Sequence, residues 1–162
     1  MTTVAHKEQI ATILKQQIDA ASALQDLLAQ ERAALESRDL ETFDKIITQK
    51  QTLVAQLDDL ERTRYTLVTQ AGYAGEPEKF DEYLTAEDQG SRLTAQSEQL
   101  KSILSDCFQL NRINAGMVEL SYHYLNQSLA VLRGTEGPQK DTYGPQGKSI
   151  ESSDSQRTIA KV

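Results

Sequence analysis

Two histidines, one cysteine and a cluster of acids are the residues of this chain whose types could carry chemistry. His123 lies between Tyr122 and Tyr124, four residues after Glu119. A di-iron helical site needs a Glu-x-x-His pair at i, i+3, twice, with two further inward carboxylates, and this spacing does not supply it. His6 stands in an N-terminal segment without hydrophobic pattern, where fraying is the expectation. Cys107 has no His or Asn placed near it in sequence to make a thiolate nucleophile, so it reads as a small buried hydrophobe. Glu76, Glu78, Asp81, Glu82, Glu87 and Asp88 crowd one stretch, but the Asp-x-Asp-x-Asp-Gly spacing of a calcium loop is missing. There is no HExxH, no GxSxG, no phosphate-cradling glycine loop and no Cys/His metal spacing. The chain reads as a non-enzyme without cofactor or metal.

The elements that carry these residues are helical. Gly and Pro are few, Trp is absent, and Gln, Leu, Ala, Glu and Asp dominate 162 residues. Net charge is −7, and all of the imbalance lies in residues 1–134. An acidic body argues against nucleic acid and anionic membrane as partners. No apolar run approaches the ~20 residues of a membrane span, so no insertion is expected. The lone cysteine excludes an intrachain disulfide and, with no apolar leader, points to a cytoplasmic protein.

Apolar residues at steps of three, four and seven predict helices over 8–36 and 39–71, joined by a short turn at Ser37-Arg38-Asp39. Gln17 and Glu31 interrupt the first stripe; Lys50 and Arg64 take positions in the second, where long cations usually lay their methylenes on the seam. Gly72 is the expected stop of the second helix. Pro77 suits the start of a short helix whose Phe80, Tyr83 and Leu84 tuck against the bundle end. A third long helix is predicted over 91–133. Gly116 within it is tolerable where it allows a bend or a close backbone approach. The predicted fold is all-α: an antiparallel bundle of a helical hairpin and a third long helix with coiled-coil-like packing, as one domain over 1–134. Residues 135–162 hold few large apolar groups and read as a flexible C-terminal tail.

The end of the third helix carries two stripes. One is Ile113, Met117, Leu120, Tyr124 and Val131; the other is Leu104, Phe108, Ala115, Val118, Tyr122, Leu125, Leu129 and Leu132. At about 100° per residue their centres lie roughly 130° apart. A helix lying on one partner needs one seam. The second must meet another helix of the chain, another copy or a different protein. Val118, Tyr122, Leu125, Leu129 and Leu132 are the expected partner-binding face, with the hairpin covering the other stripe; the reverse assignment fits the periodicity as well.

Leu27-Leu28, Glu31, Leu35, Asp39-Leu40, Lys50, Leu53, Leu57, Leu60 and Arg64 follow one another along the hairpin. Asn111, Asn114 and Gly116 then mark the third helix, Leu132-Arg133-Gly134 its exit, and Tyr143-Gly144-Pro145-Gln146-Gly147 a later element. This order resembles the FlgN-type flagellar export chaperones, with Ala115 interposed where an adjacent Asn-Gly is common. The resemblance implies a cytoplasmic chaperone of flagellar type III export. It would bind hook–filament junction (hook-associated) proteins, prevent their premature assembly and deliver them to the export gate. It implies docking at the gate through the tail, with Tyr143 as the docking residue. The alternative is a self-associating coiled-coil structural or adaptor protein, with the spare seam buried in a weak homo-oligomer.

Overall fold

The computed structural model describes residues 2–73, 77–89 and 91–134. Helix α1 spans Thr2–Ser37, α2 Leu40–Gln70, α3 Pro77–Tyr83 and α4 Arg92–Leu132; a π-helical turn over Leu84–Asp88 follows α3. No strand occurs among the described residues. The chain divides into two compact units, Met1–Gly116 and Met117–Val162.

In the first unit α1 is the inner helix. Ile10, Leu14, Ala21, Leu24 and Leu28 are buried along one heptad stripe, and Ala20, Leu27 and Ala34 are buried along a second. A helix buried on two sides must have two neighbours. The second stripe meets α2, where Leu27, Ala34 and Ile46 pack with Phe43 and Leu53. The first is shared with α4: Leu24, Leu28 and Cys107 cluster with Leu53, Leu57, Ile103 and Leu110. Cross-helix bonds fix the directions. Arg92 pairs with Glu8, and Asn114 donates to the Leu28 carbonyl, so α4 runs parallel to α1. Gln17 donates to Glu61 while Lys50 reaches back to Glu31, so α2 runs antiparallel. The result is an up-down-up bundle.

The turn between α1 and α2 is as short as the sequence predicts. Arg38 takes a left-handed φ of 57°, and Asp39 N–H reaches back to the Ala34 carbonyl at 2.9 Å, closing a Schellman cap. Asp39 then caps α2, accepting from the Thr42 amide at 3.2 Å and from its hydroxyl. Gly72, at φ 96°, ends α2 by the same motif, with Tyr73 N–H on the Val68 carbonyl. Phe80, Tyr83 and Leu84 join Ile10, Leu14, Val68 and Leu93 in one core, as expected. Residues 2–7 differ from expectation: they are helical, not frayed. His6 bonds the Leu67 carbonyl and Lys7 the Glu87 carbonyl, and these tertiary bonds supply what local hydrophobic pattern lacks. The predicted tail, 135–162, lies outside the described residues.

Several polar residues inside the stripes meet partners on other helices. Glu31, buried on α1, faces the Lys50 ammonium at 3.3 Å, and the same ammonium donates to the Asn111 side chain on α4. Arg64 grips Glu61, which accepts from Gln17, and its guanidinium lies 4.3 Å over the Phe80 ring. Lys50 and Arg64 therefore bind defined partners as well as lying along the seam.

Two predictions come from this packing. Lys50→Met strands the Glu31 carboxylate and should cost about 2–3 kcal/mol in urea unfolding, below the fully buried case because Lys50 is partly exposed. Replacing Glu31 and Lys50 together by Met should return stability to within about 1 kcal/mol of the parent. The second concerns Asp88. Burial pushes its carboxyl up, but bonds from the Thr94 amide and hydroxyl, the Leu93 amide and Ser91 hold it below the usual carboxylate range. A lowered folded pKa contributes stability that is complete above the unfolded value and is lost as pH falls through the folded one. Melting temperature should therefore fall more steeply below about pH 4 in the parent than in Asp88→Asn.

Candidate functional site

Along α4 the buried positions are Leu93, Ser97, Leu100, Cys107 and Asn114. They make a heptad stripe that faces the hairpin, with Leu93, Leu100, Cys107 and Asn114 at steps of seven and Ser97 four residues after Leu93. It lies between the apolar stripes read from the sequence, and it ends at Asn114. Leu104 and Phe108, which open one of those stripes, are exposed, Phe108 by 70%.

Past Met117, which is half-buried, no residue of α4 is buried. Val118, Tyr122, Leu125, Leu129 and Leu132 are exposed, Tyr122 by 66% and Leu132 by 82%. So are Leu120, Tyr124 and Val131 of the other stripe. Within the first unit the hairpin takes up the Leu93–Asn114 stripe and leaves Leu104, Phe108 and Ile113 exposed. A contiguous exposed apolar face of this kind is a candidate interaction surface.

Its charge pattern points the same way. Between Met117 and Gly134 the only acid or base apart from His123 is one carboxylate, Glu119, and one guanidinium, Arg133. The chain as a whole is 25% charged. Depletion of charge with enrichment of aromatics is the mark of an interface core. Tyr122 and Tyr124 present amphipathic rings, and the His123 ring lies 6.4 Å from that of Tyr124. Long apolar side chains, two tyrosines and few ions can bury against an amphipathic helix.

The other chemical candidates are occupied structurally. The Cys107 thiol is buried, donates to the Ala21 carbonyl at 3.5 Å, and is pushed up by burial and then by Asp106. Asp88 caps the start of α4 through Thr94 and Ser91. No group of three or more His, Cys, Asp or Glu side chains among the described residues could hold a metal. No helix among them is long and apolar enough to cross a membrane. Tyr143 lies outside the described residues.

Sequence reasoning missed the polar members of the α4 core. Ser97 and Asn114 are buried; the signal for Asn114 was the step of seven from Leu93, and for Ser97 the step of four from Leu93, both masked by the larger residues beside them. Gly116 also differs from expectation. A Cβ built there meets nothing within 4 Å, so no close backbone approach requires glycine. Gly116→Ala should raise stability by about 1 kcal/mol through helix propensity, measured by thermal or urea unfolding.

The described residues form long helices, with an apolar and nearly uncharged stretch of the last one exposed. The chain belongs to the FlgN family, whose family model, described as FlgN protein, matches residues 1–150. FlgN proteins are chaperones of flagellar assembly. No curated protein and no solved structure matches the chain.

Proposed function

We propose that this chain is a cytoplasmic chaperone of flagellar type III export, which holds hook-associated proteins before export, prevents their premature assembly and delivers them to the export gate. Family membership supports the chaperone class. The observation that carries the cargo site is the exposed, charge-poor face of α4 beyond Met117. On this reading residues 1–134 are the chaperone domain and residues 135–162 a separate segment that follows it.

Val118, Tyr122, Leu125, Leu129 and Leu132 form the cargo face in this proposal. Cargo of this family presents an amphipathic terminal helix, and such a helix reads a surface through anchors at i, i+3, i+4 and i+7. Tyr122 and Leu125 stand at the centre, where truncation costs most. Because these residues are exposed, they can be removed without opening a cavity. Tyr122→Ala with Leu125→Ala should weaken binding of a hook-associated protein at least 100-fold by calorimetry, at roughly 2 kcal/mol or more per anchor, with the melting temperature unchanged. Undiminished binding, with loss instead in Met117→Ala with Leu120→Ala, would assign cargo to the other stripe.

Tyr143 is proposed to dock the chaperone at the export gate, since it stands beyond the last helix among Gly and Pro residues. Tyr143→Ala should reduce export while leaving cargo affinity and melting temperature unchanged; a large fall in melting temperature would make the residue structural.

The exposed apolar face equally suits a second reading, burial between two copies of the chain. Sedimentation separates the two. Cargo should displace a weak self-association, whereas an obligate dimer persists when cargo is added.

A further inference from the structure

The polar groups of the core are unevenly distributed. Among the described residues, four buried side-chain oxygens find no partner within the protein: Gln17 Oε1, Gln96 Oε1, Ser97 Oγ and Asn114 Oδ1. Three of the four are on α4 and the other is on the α1 stripe that α4 shares. The α1–α2 contact joins Leu27, Ala34 and Ile46 with Phe43 and Leu53, and Gln17–Glu61 and Glu31–Lys50 bond across it. A buried polar atom left without a partner carries its full desolvation cost, whereas an apolar group of the same shape does not.

The buried bonds of α4 toward α1 are neutral ones, while toward α2 its Asn111 accepts from the Lys50 ammonium. Gln96, Cys107 and Asn114 donate to the main-chain carbonyls of Ala11, Ala21 and Leu28. The bond at Gln96 is long, at 3.4 Å, and the Cys107 thiol is a weak donor. Arg92–Glu8 and Gln25–Asp106 are exposed and contribute little. At the entry to α4 the backbone turns through a left-handed Gln89, at φ 50°, directly after the π-helical turn.

We infer that the first part of α4, residues 92–116, is a detachable helix: it opens from α1 in the native protein while the α1–α2 hairpin stays folded, uncovering the α1 stripe of Leu14, Ala21, Leu24 and Leu28. The device keeps a second apolar surface covered in the closed state. Local opening of this kind is the ordinary behaviour of the least stable cooperative unit of a fold.

Cys107 reports the opening directly, because it is the chain's single cysteine and lies between α4 and α1. The full-length protein is alkylated with a maleimide without denaturant, and amide exchange is followed in parallel. Cys107 should react at least 100-fold faster than global unfolding, measured by urea, permits, while α1 and α2 amides stay protected. Ser97→Ala with Asn114→Leu removes two unpaired oxygens and should slow the labelling about tenfold; Ser97→Ala alone gives the same direction if the double variant does not fold. Labelling at the rate of global unfolding, equal protection of all three helices, or labelling unchanged or faster in the variants would overturn the inference. Cargo enters none of these measurements, so their failure is separate from failure of the chaperone reading.

Discussion

The Glu31 carboxylate sits inside the bundle, on the inner helix, at a position where a heptad would normally place a leucine. A charge there requires a cation, and the only way to supply one without a cavity is from a neighbouring helix. Lys50 supplies it from α2, and the same ammonium is held by Asn111 of α4. One buried acid thus ties three helices at one level. Apolar seams permit slippage by a heptad; a paired charge does not, since any other register strands it. One turn further on, Asn114 on the Leu28 carbonyl marks the end of the buried stripe of α4.

The consequence is a helix with two parts of different chemistry. Up to Asn114, α4 carries Leu93, Leu100 and Cys107 into the core and keeps its charges outward. Beyond it the acids and bases almost vanish from the sequence, yet every large apolar side chain past Met117 is exposed. A helix built for solvent would show the opposite. Apolar residues in water without charges among them favour association, the basis of the proposal that this surface holds a partner. The FlgN family supplies the context in which such a partner exists.

Helix boundaries and the turn chemistry were legible because they are local. Ser37-Arg38-Asp39 and Gly72 break and cap helices through backbone rules that need no tertiary knowledge. The corner formed by Phe80, Tyr83 and Leu84 was legible for the same reason, as apolar residues in a short helix have nowhere else to go. What the periodicity could not supply is direction. Three stripes compete on α4, and the one with the smallest side chains, including Ser97, Cys107 and Asn114, is the one that packs. Small residues allow helices to approach; the larger Phe108, Tyr122 and Leu125 were conspicuous in the sequence, yet they are left outside. The order of residues in the N-terminal turn was equally opaque, since His6 and Lys7 are held by carbonyls distant in sequence.

The most direct measurement is a titration of the isotope-labelled full-length protein with the amphipathic terminal helix of a hook-associated protein, followed by methyl and aromatic NMR. The account predicts that the methyls of Val118, Leu125, Leu129 and Leu132 and the ring of Tyr122 shift or broaden on addition. The methyls of Leu27 and Ile46, enclosed between α1 and α2, should keep their positions. Perturbation confined to the α1–α2 hairpin, with the signals beyond Met117 unmoved, would contradict it.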